Sequence, residues 1–136
     1  MNRSLFIVVI DDSPTVCTIL DVSLTREGHE VKSFQNPVPA LRSILKTGEI
    51  PLPDLLFIDL SLPTINGYEV IRLFKNNPAS MHIPVVVISR LGDTITRLKV
   101  RLAGANAFLE KPFQVQDVIA LVQSFAALPK SDIHER

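Results

Sequence analysis

Short apolar runs alternate with amphipathic stretches along the chain, and each change of period marks a change of element. Leu5-Phe6-Ile7-Val8-Val9-Ile10 is apolar throughout and stops at Asp11, the pattern of a strand covered on both faces. Ser13-Pro14 follows at once, a good N-cap before a residue favoured at the first helical position. Val16, Leu20 and Leu24 then recur at helical spacing until Gly28. The cycle repeats four times. Residues 30–34 read as a strand anchored by Val31 and Phe34, and Pro37 opens a helix carrying Leu41, Ile44 and Leu45 that ends near Gly48. Residues 54–58 form a third strand halted at Asp59, and 67–77 a helix with Val70, Ile71 and Phe74 on one face. Residues 84–88 form a fourth strand ending at Ser89. Asp93 caps a helix expected to turn Ile95, Leu98 and Leu102 inward. Ala107-Phe108-Leu109 is a short fifth strand, and Val115, Val118, Ile119 and Val122 mark the last helix.

Five strands alternating with five helices predict an α/β fold: a parallel sheet with right-handed crossovers and helices on both faces. The expected architecture is a doubly wound five-stranded sheet of order 2-1-3-4-5, of the flavodoxin-like type. At 136 residues, 46% hydrophobic and 21% charged, the chain fits one globular domain. Residues 1–128 are read as that domain and 129–136, polar after Pro129, as a flexible C-terminal tail. The formal net charge is zero, which removes the usual electrostatic footprint of a nucleic-acid binder. The apolar run at the start is too short for a membrane span. Cys17 is the one cysteine, so neither an internal disulfide nor a thiolate metal cage is available; such usage suits the cytoplasm.

Ligands of open α/β sheets bind outside the carboxyl ends of the strands. The first strand ends in Asp11 and Asp12, the third in Asp59, the fourth in Ser89 and the fifth in Glu110-Lys111-Pro112. Three carboxylates, a hydroxyl and an ammonium therefore converge on one edge. Two like charges about 5 Å apart repel by roughly 3 kcal/mol at an effective dielectric near 20. A divalent cation offsets that repulsion, and an all-oxygen donor set favours Mg²⁺. Mg²⁺ beside a carboxylate, a hydroxyl and a lysine is the equipment of phosphoryl transfer, with a carboxylate as covalent acceptor.

These residues resemble those of bacterial two-component response-regulator receiver domains, over roughly residues 6–125. The resemblance is carried by Asp11-Asp12, by Asp59-Leu60-Ser61-Leu62-Pro63-Thr64-Ile65-Asn66-Gly67, by Ser89, by Lys111-Pro112-Phe113 and by Phe108 three residues before the lysine. Asp11-Asp12-Ser13-Pro14-Thr15 and Ser89-Arg90-Leu91-Gly92-Asp93 are similar to the single-domain regulators of chemotaxis and twitching systems. The resemblance implies that Asp59 accepts a phosphoryl group from a sensor histidine kinase. It implies that Asp12, Asp59 and the Ser61 carbonyl ligate Mg²⁺, with Asp11 acting through metal-bound water. Lys111 would pair with the phosphoryl group, Ser89 would donate a hydrogen bond to it, and Phe108 would follow by changing rotamer. The face formed by the fourth helix, fifth strand and fifth helix would then meet a downstream protein partner. A cis peptide before Pro112 is also implied. Ser89 stands where threonine is commoner and Phe108 where tyrosine is commoner.

Each of these residues also has a plainer reading. The Asp pair could cap a helix, but Ser13-Pro14 already fills that place. Lys111 could be a solvated lysine, Ser89 a loop serine and Phe108 simply core. Arg97 and Arg101 divide evenly between a solvated face and a docking surface. Three rival functions remain: a binding module on the same fold that works without phosphorylation, an aspartate-nucleophile phosphatase, and a flavodoxin. The phosphatase would need an Asp-x-Asp pair where this chain has adjacent aspartates. The flavodoxin would need a phosphate-cradling loop where two carboxylates stand.

Overall fold

Alternate residues of each central strand feed two different cores. A computed structural model describes residues 3–62 and 65–127. Its elements are β1 (Phe6–Ile10), α1 (Pro14–Arg26), β2 (Glu30–Phe34), α2 (Pro37–Leu41) with a π-helical continuation (Arg42–Lys46), β3 (Leu55–Asp59), α3 (Gly67–Lys75), β4 (Val85–Ser89), α4 (Thr94–Ala103), β5 (Ala107–Glu110) and α5 (Val115–Ala126). Every strand pair is parallel, as the alternation predicts, and the order is β2-β1-β3-β4-β5, that of the expected flavodoxin-like type. Val8, Ile10, Leu56, Ile58, Val85 and Val87 pack with Ala40, Ile44, Val70, Ile71 and Phe74 on one face. Ile7, Val9, Leu55, Phe57, Val86 and Ile88 pack with Leu20, Leu24, Val118 and Val122 on the other. Both faces of β1, β3 and β4 are thus covered, which is why their sequences are apolar without alternation.

The two predicted caps form: Ser13 Oγ accepts from Val16 N–H and Asp93 Oδ2 from Thr96 N–H. A third, not predicted, is Asn66, whose Oδ1 accepts from Glu69 N–H. The second helix differs from expectation. It is α-helical only to Leu41 and then widens into a π-helical turn, with Thr47 N–H donating to Arg42 O across five residues.

The fourth helix corrects a second expectation. Ile95, Leu98 and Leu102 do not face inward; they are 63%, 54% and 78% exposed. The inward stripe is Thr96, Val100 and Ala103, with Val100 buried. Two apolar stripes compete on this helix, and burial selects the smaller. The Thr96 hydroxyl also donates to Asp93 Oδ1, which sets the rotation of the first turn. At the other end Gly104, at φ 117°, ends the helix, and a Cβ there would lie 2.7 Å from Lys75 Cγ. Helix α4 therefore approaches its support through small side chains and leaves the large ones outside. The expected tail, 129–136, lies outside the described residues.

Candidate functional site

The carboxyl ends of four strands assemble one polar cluster. Asp11, at the end of β1, is fully buried; Asp59, the last residue of β3, is 4% exposed. The two carboxylates are held alike. Asp11 Oδ1 accepts from Ser13 N–H at 2.9 Å, and Asp59 Oδ1 accepts from Ser61 N–H at 3.0 Å. In each case the amide two residues on closes a local turn and fixes the carboxylate plane. Both Oδ2 atoms face the same ammonium: Lys111 Nζ lies 2.9 Å from Asp11 and 3.5 Å from Asp59. Asp12 is exposed beside them, and the three carboxylates each offer an oxygen within 4.8 Å of the others.

The neighbouring strand ends complete the cluster. Lys111 N–H donates to Ser89 O at 2.8 Å, which ties the end of β5 to that of β4. The Lys111–Pro112 peptide is cis. Ser89 is buried, and its hydroxyl oxygen accepts from Leu91 N–H at 3.0 Å. That hydroxyl keeps its own proton free to donate. Asn66-Gly67 has a separate purpose. A Cβ on Gly67 would lie 2.7 Å from Leu60 Cα and 2.9 Å from the Asp59 carbonyl oxygen, so only glycine lets α3 start against the end of β3. Leu60 and Leu62 are buried.

Burial pushes the Asp11 carboxyl above its ordinary pKa, and the negative Asp59 adds to the rise; the Ser13 amide and Lys111 oppose it. Cys17, whose Sγ donates to Asp11 O at 3.3 Å, is likewise pushed up by burial and by Asp11, so it stands there as a thiol.

Do these residues suit a divalent cation? Three carboxylates against one ammonium leave two negative charges in excess. Asp11 Oδ2 is buried and, apart from its ion-pair contact with Lys111, has no hydrogen bond of good geometry. The donors are all oxygen. Excess charge and an all-oxygen donor set fit a hard divalent ion.

Phe108 is half-buried and packs against the core on the α3 and α4 side. The Arg97 guanidinium lies over its ring, 4.4 Å from the centroid. Arg97 Nε also donates to Gly92 O at 2.8 Å, and Nη2 pairs with Glu110 Oε1 at 3.0 Å. One side chain of α4 thus holds the β4–α4 turn, the end of β5 and the aromatic ring together. From the sequence, Arg97 stood with Arg101 between a solvated face and a docking surface, with no sign of these contacts. Its partners Gly92 and Glu110 lie 5 and 13 residues away, and no local pattern links them.

The carboxyl edge of an open parallel sheet thus carries an acidic cluster and a lysine, the arrangement that the resemblance to receiver domains implies. The family model for the response regulator receiver domain matches residues 7–123, and the chain belongs to that family. Protein PilG of Pseudomonas aeruginosa is 29% identical over 123 residues, covering 90% of this chain and 88% of that protein. Several other relatives are longer, and the chain spans only a quarter to about half of them. Among solved structures, a proposed response regulator from Chloroflexus aurantiacus superposes with TM-score 0.82 at 30% identity, covering 93% of this chain and all of that one. The Mn²⁺-bound form of response regulator Rcp1 superposes with TM-score 0.74 at 26% identity, covering 88% and 90%. The chain is thus a receiver domain of two-component signalling, not an enzyme of the usual kind, and such domains work with histidine kinases and downstream effectors. Among the described residues no helix is long and apolar enough to cross a membrane.

Proposed function

We propose that Asp59 is the phosphoacceptor and that Asp11, Asp12, Asp59 and the Ser61 carbonyl hold Mg²⁺. The observation that carries this is Lys111 Nζ set between two buried carboxylates, Asp11 and Asp59, with Asp12 alongside. When bound there, Mg²⁺ would supply charge neutralisation at the phosphoryl oxygens. An Asp59 oxygen forms the new O–P bond as the P–N bond to the kinase imidazole breaks, and the imidazole keeps the electron pair. Lys111, already pointed at the Asp59 oxygen, pairs with the incoming phosphoryl group. Ser89 turns its free proton toward a phosphoryl oxygen, giving up its bond from Leu91 N–H. In this way the domain assists its own phosphorylation; in dephosphorylation water attacks the phosphorus, the O–P bond to Asp59 breaks and Asp59 leaves as its carboxylate, with Lys111 and Ser89 still holding the phosphoryl oxygens.

The signal leaves through the face of α4, β5 and α5. Three things support this: the exposed stripe Ile95, Leu98 and Leu102, the half-buried Phe108, and Arg97 bridging Phe108 to the β4–α4 turn. The partner there is a protein; a neutral chain gives no footprint for direct nucleic-acid contact. The lone thiol Cys17 suits the reducing cytoplasm as the place of action. Acetyl phosphate with Mg²⁺ should add one phosphoryl group in intact-mass spectra, and Asp59→Asn should remain unmodified. Equal labelling of the two proteins would refute the assignment.

A further inference from the structure

Away from the acidic cluster, α2 and α3 enclose a groove of about 840 Å³. Its floor is apolar: Val38, Leu41, Leu45 and Leu73, with Val38 48% and Leu73 46% exposed. Its rim is unbalanced. Arg42, Lys46 and Arg72 border it against a single carboxylate, Glu69. The wall on the α2 side is the π-helical turn, the one departure from regular helix in the described fold, and such turns occur often at functional sites.

We propose that this groove docks an amphipathic helix of another protein, one that presents an apolar stripe flanked by Asp and Glu. The nine residues of α3 span roughly 13 Å at about 1.5 Å per residue, room for anchors at i, i+3 or i+4, and i+7. Three cations to one anion select an acidic partner and raise its rate of encounter. The same imbalance disfavours a second copy of this chain. A symmetric dimer through the groove would set Arg42, Lys46 and Arg72 against their own equivalents. An anionic membrane would satisfy the charge, but it would lie across a concavity that a helix fills. The groove is built from side chains that phosphoryl transfer does not use, so the proposal stands or falls independently of the acceptor assignment.

The test is selection from a displayed library of helical peptides about 16 residues long, against the intact domain. The enriched peptides should carry helically spaced apolar residues and an excess of Asp and Glu. Amide shifts on binding should gather on α2, its π-helical turn and α3. Arg72→Glu should weaken binding at least tenfold, as should Leu73→Ser, while the melting temperature of each variant stays near that of the parent because both positions are exposed. Neutral or basic winners, shifts centred on α4 and β5, variants that bind as well as the parent, or no enrichment would each overturn the proposal. So would binding to phosphatidylserine vesicles with no peptide enriched.

Discussion

Lys75 carries its ammonium to the opposite edge of the sheet from Lys111. It donates to Ile83 O at 2.7 Å, Asn106 Oδ1 at 3.2 Å and Met81 O at 3.4 Å, so each of its protons has an acceptor. Burial lowers its pKa, yet the three acceptors keep the charge in place. Lys75→Met leaves those acceptors without the ammonium and should cost about 2 kcal/mol, read as a lower urea midpoint with an unchanged slope. The lysines look alike in the sequence. Lys111 stood out because it precedes a proline at a strand end, whereas the acceptors of Lys75 lie in the next loop and beyond α4, where no pattern points to them. His29 shows the same kind of hidden contact. Its Nδ1 accepts from Leu5 N–H at 3.0 Å, and burial holds its pKa below the ordinary 6.5. A depressed pKa means that the folded state favours the neutral ring. The stability it contributes is present above pH 6.5 and is lost as pH falls through the lower folded value. His29→Asn keeps an acceptor that does not titrate, so the parent should lose stability relative to this variant as pH drops below about 6.5.

At the scale of elements, β1, β3, β4 and the caps Ser13 and Asp93 were legible because each rests on local chemistry. The rotation of α4 was not. An apolar stripe says that a helix has a face to bury, not which of two faces its neighbours accept. Replacing Leu98 or Leu102 by Lys should therefore change stability by no more than about 0.5 kcal/mol. Val100→Ala should cost roughly 1–2 kcal/mol by leaving a cavity under the helix. Thermal melts of the three variants would decide which stripe is buried. Arg97 belongs to this scale too, since it joins α4 to β5. Its pair with Glu110 is about half exposed and adds little stability, so its weight lies in holding Phe108. Arg97→Ala should shift the Phe108 rotamer population in the free domain, toward what the phosphoryl mimic beryllofluoride produces in the parent. Side-chain NMR reads this directly; a Phe108 population that ignores the substitution would contradict the coupling.

The whole molecule is a sheet whose apolar interior ends in an acidic rim. The parallel sheet was readable from alternation and its strand order from the flavodoxin-like type, and the cluster followed because parallel strands deliver their carboxyl ends to one edge. Distances and burial were not readable: nothing in the sequence says that Asp11 is buried and Asp12 exposed. Two uncompensated negative charges at that edge work against the fold. Mg²⁺ at about 100 times its dissociation constant should stabilise the domain by roughly 2.7 kcal/mol if it binds only the native state. Asp12→Ala should remove most of that gain without disturbing the core, because Asp12 is exposed. The function rests on which aspartate accepts the phosphoryl group. Borohydride reduces an aspartyl phosphate to homoserine, so the domain can be phosphorylated with acetyl phosphate and Mg²⁺, reduced, digested and mapped by peptide mass. With Asp59 as the acceptor, homoserine appears at position 59 and nowhere else; homoserine at position 11 or 12, or none at all, would contradict the assignment.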